Sequence, residues 1–358
     1  MHYLEKTESG LLLMDKAFAD GSSTVAFCGR NDAIVKMALE ILPQKPNRVL
    51  VLGCGPYELW TTAGQQQIVE GNATIIGVDR SEQITSINQT IKHSGQQELT
   101  KIEEVIGNPV FGQEKKHKTS TQLIKDSAIT GVELGEKEIK VDEANRNRVQ
   151  IAPPSDAIDF IAQQEDKKFS LIFSGNLENN MLFQPSYSRE RGIKFHRDII
   201  RLLQQKGVYV YTTNEIFFND IDLTNPRNVR GILRDSGLDI LYKATQYTHV
   251  LQRNGHWVVT EDCGILSARQ GDYDCLPNFG KAIETVRQRL DRYKDSFQYT
   301  EGYGTLDQLQ EAIVNGQTNI AVVKTASDKY HWFNIQGVYS EVFPELAQIG
   351  DGFYPDLF

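Results

Sequence analysis

A doubly wound, mostly parallel α/β sheet is the fold class the chain predicts, and three observations predict it. The apolar run Val49-Leu-Val-Leu52 stops at Gly53-Cys54-Gly55. A second run, Thr74-Ile-Ile-Gly-Val78, follows about a helix length later and ends on a single carboxylate, Asp79. Apolar runs and helix-length segments then alternate as far as residue 213, the rhythm of βαβ units whose strands are buried on both faces. Glycines after the first strand let a backbone approach a ligand, and an acid after the second accepts hydrogen bonds from ribose hydroxyls. The pair points to a nucleoside-type ligand.

The elements follow in order. Residues 1–47 read as an N-terminal cap, with glycines punctuating short apolar stretches. Within it a helix runs from Asn31 to Ile41 with Ile34, Met37, Ala38 and Ile41 on one face, and Pro43 and Pro46 end it. The first strand is followed by a helix from Tyr57 to Val69, the strand Thr74–Val78 and a helix from Ser81 to about His93. Residues 94–147 break the rhythm and read as an insertion, long for a compact α/β unit. Inside it, residues 128–141 alternate and turn at Gly135, the pattern of a β-hairpin. The third strand (Val149–Ala152), a helix from Ser155, the fourth strand (Ser170–Phe173), a helix over 189–205 and the fifth strand (Val208–Thr213) restore the alternation. Asn225 to Ser236 reads as a helix with Gly237 just past its end. Leu238–Ala244 and Trp257–Thr260 read as closing antiparallel strands, completing a core over 48–263. Residues 264–358 form a small α+β extension, with helices over 279–297 and 306–314 and strands over 319–323 and 330–335.

Two cofactor chemistries fit a glycine bend followed by an acid. A dinucleotide site wants a third glycine where the helix N-terminus meets the pyrophosphate, and here that position is Glu58, whose charge repels phosphate. S-adenosylmethionine carries no phosphate and has a cationic sulfonium and amino group, so acidic surroundings suit it better. From residue 48 to about 260 the chain resembles the class I S-adenosylmethionine-dependent methyltransferases. Val49-Leu-Val-Leu-Gly-Cys-Gly-Pro56 is similar to the family's first motif and Ile76-Gly-Val-Asp79 to its second. The runs 148–156, 169–176 and 202–210 resemble its third, fourth and fifth strands. The chain departs from the family pattern at Val51, often an acid, and at Tyr57, which replaces a glycine. These departures leave open a second reading, a catalytically inactive methyltransferase-like interaction protein.

The resemblance implies S-adenosyl-L-methionine as cofactor, contacted by Gly53, Cys54, Gly55, Glu58, Asp79, Arg80, Ser155, Asp156 and Ser174. Several of these residues have simpler roles as well. Asp79 can cap the next helix, Cys54 can pack against the sheet, Glu58 can complement its helix dipole, and Ser155 and Asp156 can cap the helix after the third strand. Methyl transfer from a sulfonium needs little acid–base help, so an enzyme chiefly positions the acceptor and excludes water. Asn176, at the end of the fourth strand, faces the methyl group in the family pattern; with Tyr187 and His196 it forms the candidate catalytic set. No Asn-Pro-Pro-aromatic run follows that strand, so the usual signature for methylating base amines is missing.

Composition bounds the rest. Hydrophobic residues make up 40% of the chain and charged residues 24%, ordinary for a globular protein. A net charge of −9 argues against general nucleic-acid binding, which needs a basic face. No apolar run approaches the roughly 20 residues of a membrane span. The four cysteines form no CxxC pair, and with His249 and His256 their spacing matches no common zinc site, so no metal is expected. The expected partner is a small-molecule or protein methyl acceptor, and the expected compartment is the cytoplasm.

Overall fold

The structure, a computed structural model, describes residues 2–5, 12–17, 23–28, 30–55, 58–98, 138–175, 177, 187–253, 256–291 and 298–336. A meander of β1 (His2–Glu5), β2 (Leu12–Ala17) and β3 (Ser23–Cys28) leads into α1 (Arg30–Ile41). Next come β4 (Arg48–Leu52), α2 (Glu58–Gly64), α3 (Gln66–Glu70), β5 (Thr74–Val78) and α4 (Glu82–Ser94). The short strands β6 (Gln96–Glu98) and β7 (Glu138–Lys140) pair antiparallel across the base of the insertion. They are followed by α5 (Glu143–Arg148), β8 (Val149–Ile151), α6 (Ala157–Ala162), β9 (Phe169–Ser174), α7 (Arg189–Leu202) and β10 (Leu203–Asn214). Then α8 (Glu215–Phe218) and α9 (Val229–Ser236) precede the long hairpin of β11 (Leu238–Arg253) and β12 (His256–Arg269). The C-terminal part holds α10 (Phe279–Asp291), β13 (Tyr299–Gly304), α11 (Leu306–Val314), β14 (Gln317–Ala326) and β15 (Lys329–Gln336).

One ten-stranded sheet has the order β13-β15-β14-β11-β12-β10-β9-β4-β5-β8. β10, β9, β4, β5 and β8 run parallel to one another. From β12 outward every pairing is antiparallel. Alternate residues of the central strands enter opposite layers, which is why each strand reads as unbroken apolar sequence. Val49, Val51, Leu171 and Val210 pack under α1, α2 and α10 through Ile34, Leu59 and Val286. Leu50, Leu52, Ile172 and Tyr209 pack under α6, α7 and α9 through Ile161, Ile199 and Ile232. Helices therefore cover both faces, and the expected doubly wound class with parallel central strands is the one observed.

Several expected boundaries move, each for a local reason. The N-terminal cap holds a three-stranded meander that its short apolar stretches had not suggested. The helix expected over 57–69 is two helices, because Gln65 after the exposed Gly64 is extended (φ −61°, ψ 132°). The helix expected to reach residue 205 ends at Leu202. The backbone N–H groups of Lys167 and Lys168 take the carbonyls of Arg201 and Leu202, and Leu203 joins β10 opposite Phe169. The helix expected from Asn225 begins at Val229, where Asn228 caps it by accepting from Gly231 N at 2.8 Å. Residues 138–140 of the expected 128–141 hairpin pair with 96–98, Val141 N donates to Gly95 O at 2.8 Å, and residues 128–137 lie outside the described residues. Gly264, where the extension was expected to begin, lies inside β12, and the extension's strands join the main sheet through pairs such as Tyr242–Val323. Among the described residues no helix is long and apolar enough to cross a membrane.

Gly231 tests how tightly α9 fits. A Cβ built there overlaps the carbonyl oxygen of Leu223, which is backbone and cannot swing aside. Alanine gains about 1 kcal/mol of helix propensity, but such overpacking costs about 1–3 kcal/mol. Gly231→Ala is expected to lower stability in a urea titration despite the better helix former.

Candidate active site

The ends of β4 and β5 meet in a bend that its glycines favour. Gly53 and Gly55 have φ of +58° and +46°, left-handed values that strain any side chain. Between them, Cys54 N donates to Val78 O at 3.1 Å, tying the bend to β5. Gly55 N donates to Asp79 Oδ2 at 3.3 Å, and Ser81 N donates to Oδ1 of the same carboxylate at 2.9 Å. Ser81 itself caps α4, accepting from Ile84 N. Close packing beneath explains another glycine: a Cβ on Gly77 would meet both methyls of Leu59 at 2.7 and 2.8 Å.

The bend is fixed from below by a residue the sequence reading passed over. Asn88 is fully buried on α4; its Nδ2 donates to Gly55 O at 2.9 Å, and its Oδ1 accepts from Trp60 Nε1 at 2.9 Å. The signal was present in the sequence as an amide in line with Ile84 and Ile91 on the buried stripe of that helix.

Burial raises the Asp79 carboxyl above the usual aspartate range, against the opposing pull of the Ser81 and Gly55 N–H groups and the Arg80 charge. An ionised carboxylate offers about four acceptor positions. The two N–H groups take two, and the others remain for a ligand. The exposed Arg80 beside it acts on the carboxylate through its charge and, more weakly, through its backbone N–H. Ser155 and Asp156 lie on the neighbouring turn, where Ser155 N donates to Asp79 O at 2.9 Å. Their side chains serve that turn. Ser155 Oγ donates to Pro153 O, and Asp156 Oδ1 caps α6 by accepting from Ile158 N at 2.8 Å. Ser174 ends β9 opposite Leu52, and its Oγ is buried without a hydrogen-bond partner. An orphaned hydroxyl at the carboxyl end of a parallel strand, one strand from the bend, suits a polar ligand. Asn176 and the side chain of Glu58 lie outside the described residues.

The structure sets Tyr187 and His196 on either side of one glycine. The Tyr187 hydroxyl packs against Gly192. His196 is buried, and its Nδ1 lies 2.8 Å from Gly192 O; a carbonyl only accepts, so Nδ1 carries the hydrogen. Its ring meets Tyr209 and Tyr211 edge-on, at 6.0 Å from each. His196 thus points into the sheet, while Tyr187 lines a cleft of about 630 Å³ beyond the end of β10. Adjacent strands lie about 4.8 Å apart, so the ends of β4 and β10, two strands apart, are separated by roughly 10 Å. Leu177, at the start of the connection that ends at Tyr187, lies against Gly53. Among the described residues no three His, Cys, Asp or Glu side chains converge as metal ligands.

No family model and no curated protein matches the chain. Among solved structures, it is similar to a TehB-like methyltransferase from Corynebacterium glutamicum at 11% identity and a TM-score of 0.33, covering 68% of this chain and 88% of that one. The N-methyltransferase NodS from Bradyrhizobium japonicum is similar at 6% identity and a TM-score of 0.36, covering 68% of this chain and 98% of that one. A putative sarcosine dimethylglycine methyltransferase from Galdieria sulphuraria is similar at 12% identity and a TM-score of 0.35, covering 68% of this chain and 86% of that one. The fold described above stands on strand order and direction, independently of these likenesses.

Two outcomes are expected. Asn88→Ala leaves Trp60 Nε1 and Gly55 O buried without a partner, and each such group costs about 1–3 kcal/mol. The denaturation midpoint should fall accordingly, with an unchanged slope. The folded protein holds the Asp79 proton more tightly than the unfolded chain does. The carboxyl's contribution is therefore fully present below the ordinary aspartate pKa and declines as pH rises through the raised value. Asp79→Asn should gain stability relative to the unmodified protein across that window, read by denaturant titrations at a series of pH values.

Proposed function

We propose that the chain binds S-adenosyl-L-methionine and transfers its methyl group to a small-molecule or protein acceptor. One observation carries the reading. The Asp79 carboxylate, held by two backbone N–H groups at the ends of β4 and β5, keeps acceptor positions for a ribose diol beside a bend open to close backbone approach. The absence of a third glycine at residue 58, the first position of α2, favours a cofactor without a pyrophosphate. S-adenosyl-L-methionine, when bound, supplies an electrophilic methyl group on a sulfonium.

The roles of the chain's own residues follow from position. Asp79 binds the ribose, Gly53 and Gly55 admit the cofactor's backbone-sized groups, and Ser174 offers its buried hydroxyl. Tyr187 orients the acceptor from the cleft wall. His196, hydrogen-bonded within α7 and packed on tyrosines, supports the fold of that wall and makes no contact with the cleft. Four cysteines without a CxxC pair suit a reducing compartment such as the cytoplasm.

Calorimetry with S-adenosylhomocysteine tests the reading. Saturable binding is expected to the unmodified protein, and Asp79→Ala should weaken it about 100-fold, the loss of two hydrogen bonds to a charged acceptor. Affinity should also drop as pH falls through the raised Asp79 pKa, because the neutral carboxyl is the weaker acceptor. A folded protein that shows no binding defeats the assignment.

A further inference from the structure

The cleft beyond β10 has an unusual charge arrangement. Its wall includes Tyr187, Phe217, Asn219, Asp220, Asn225 and Arg227. Asp220 and Arg227 carry opposite charges in the same cleft, yet neither forms an ion pair among the described residues. Neighbouring charges of both signs are already engaged. The Asp222 carboxylate accepts from Thr224 N at 2.8 Å and from Thr224 Oγ1 at 2.6 Å. Arg189 pairs with Asp235 at 2.6 Å and donates to Asn225 O at 3.1 Å. Arg230, buried beneath the loop, donates through Nε to Phe218 O at 2.7 Å and through Nη2 to Asp220 O at 2.6 Å. The Asp220 carboxylate accepts the Asp222 N–H at 2.9 Å and its charge supports that of the buried Arg230 guanidinium, while the exposed Arg227 guanidinium has no hydrogen-bond partner among the described residues.

The loop that carries the two open charges is also fixed in place. Asp220 O accepts from Asn228 Nδ2 at 2.8 Å as well as from Arg230, Gln310 Nε2 donates to Ile221 O, and Arg227 N donates to Asn225 Oδ1 at 2.9 Å. These bonds hold the backbone from which both side chains project. With neither side chain in an ion pair among the described residues, a ligand that meets both gains two charge-assisted contacts against a wall whose backbone is fixed. Tyr187 and Phe217 add aromatic surface, and the volume lies within the range of small-molecule sites.

We propose that this cleft binds a small amphoteric molecule of amino-acid type, its amine toward Asp220, its acidic group toward Arg227 and its apolar body against Tyr187 and Phe217. In the methyltransferase reading, on which only this role rests, that molecule is the methyl acceptor. Leu177 packs on Gly53, and Tyr187, ten residues later, lines the cleft.

Three compounds sharing one ring separate the contributions: L-phenylalanine, phenethylamine and phenylacetate. Titration by ligand-observed NMR, with and without saturating S-adenosylhomocysteine, is expected to show L-phenylalanine binding at least about tenfold more tightly than either single-charge analogue. Asp220→Asn should erase the advantage over phenylacetate, and Arg227→Gln the advantage over phenethylamine. Equal affinities for the three compounds, or no binding of L-phenylalanine to the unmodified protein, would overturn the proposal without recourse to variants. Binding of L-phenylalanine without any binding of S-adenosylhomocysteine would uphold the cleft and remove the methyltransferase reading. Binding of S-adenosylhomocysteine alone would do the reverse.

Discussion

A single buried amide holds the site together. Asn88 meets the carbonyl of Gly55 with one end of its side chain and the indole of Trp60 with the other, so α4, α2 and the glycine bend share one node. In a low-dielectric interior such a node is worth most when every member is satisfied, and here both functional ends of the amide are. The position of Gly55 then sets where its N–H points, and that N–H helps hold the Asp79 carboxylate. Everything proposed for the nucleoside pocket descends from this chain of contacts.

Asp79 shows a site working against the fold's own interest. Burial disfavours its charge more than the surrounding N–H groups favour it. A carboxylate left with open acceptor positions in a partly desolvated place is a poor stabiliser and a good receptor for hydroxyl donors. A related division governs the loop after β10, where buried arginine and asparagine side chains are consumed on backbone carbonyls while Asp220 and Arg227 form no ion pair among the described residues. Burial pulls the Arg230 guanidinium down to about 10, still protonated at neutral pH, so the clamp under the loop stays cationic.

Much of the fold was legible because strands buried on both faces write themselves as apolar runs. Val49–Leu52, Thr74–Val78, Ser170–Phe173 and Val208–Thr213 all fall within parallel strands. The left-handed values at Gly53 and Gly55 follow from residue type, and so do the caps at Ser81 and Gly237. What escaped the reading depends on contacts distant in sequence. Asn88 is indistinguishable from a solvated asparagine until Trp60 and Gly55 are beside it. Arg230 reads as a surface charge until its neighbours bury it. The role of Asp220 and Arg227 depends on which of several nearby charges are already paired, and a linear pattern does not contain that. Ser155 and Asp156 carried two readings in sequence, and in the structure their side chains bond to their own turn.

The C-terminal strands also act as a guard rail. β11 runs for 16 residues, with β12 on one side and β14 hydrogen-bonded on the other along Tyr242–Ala244. Without that neighbour, β11 would be the outermost strand of the sheet, offering unpaired amides and carbonyls to any passing chain. β14 therefore closes that edge along three residues and hands the outermost position to the six-residue β13, a shorter template for a stray strand.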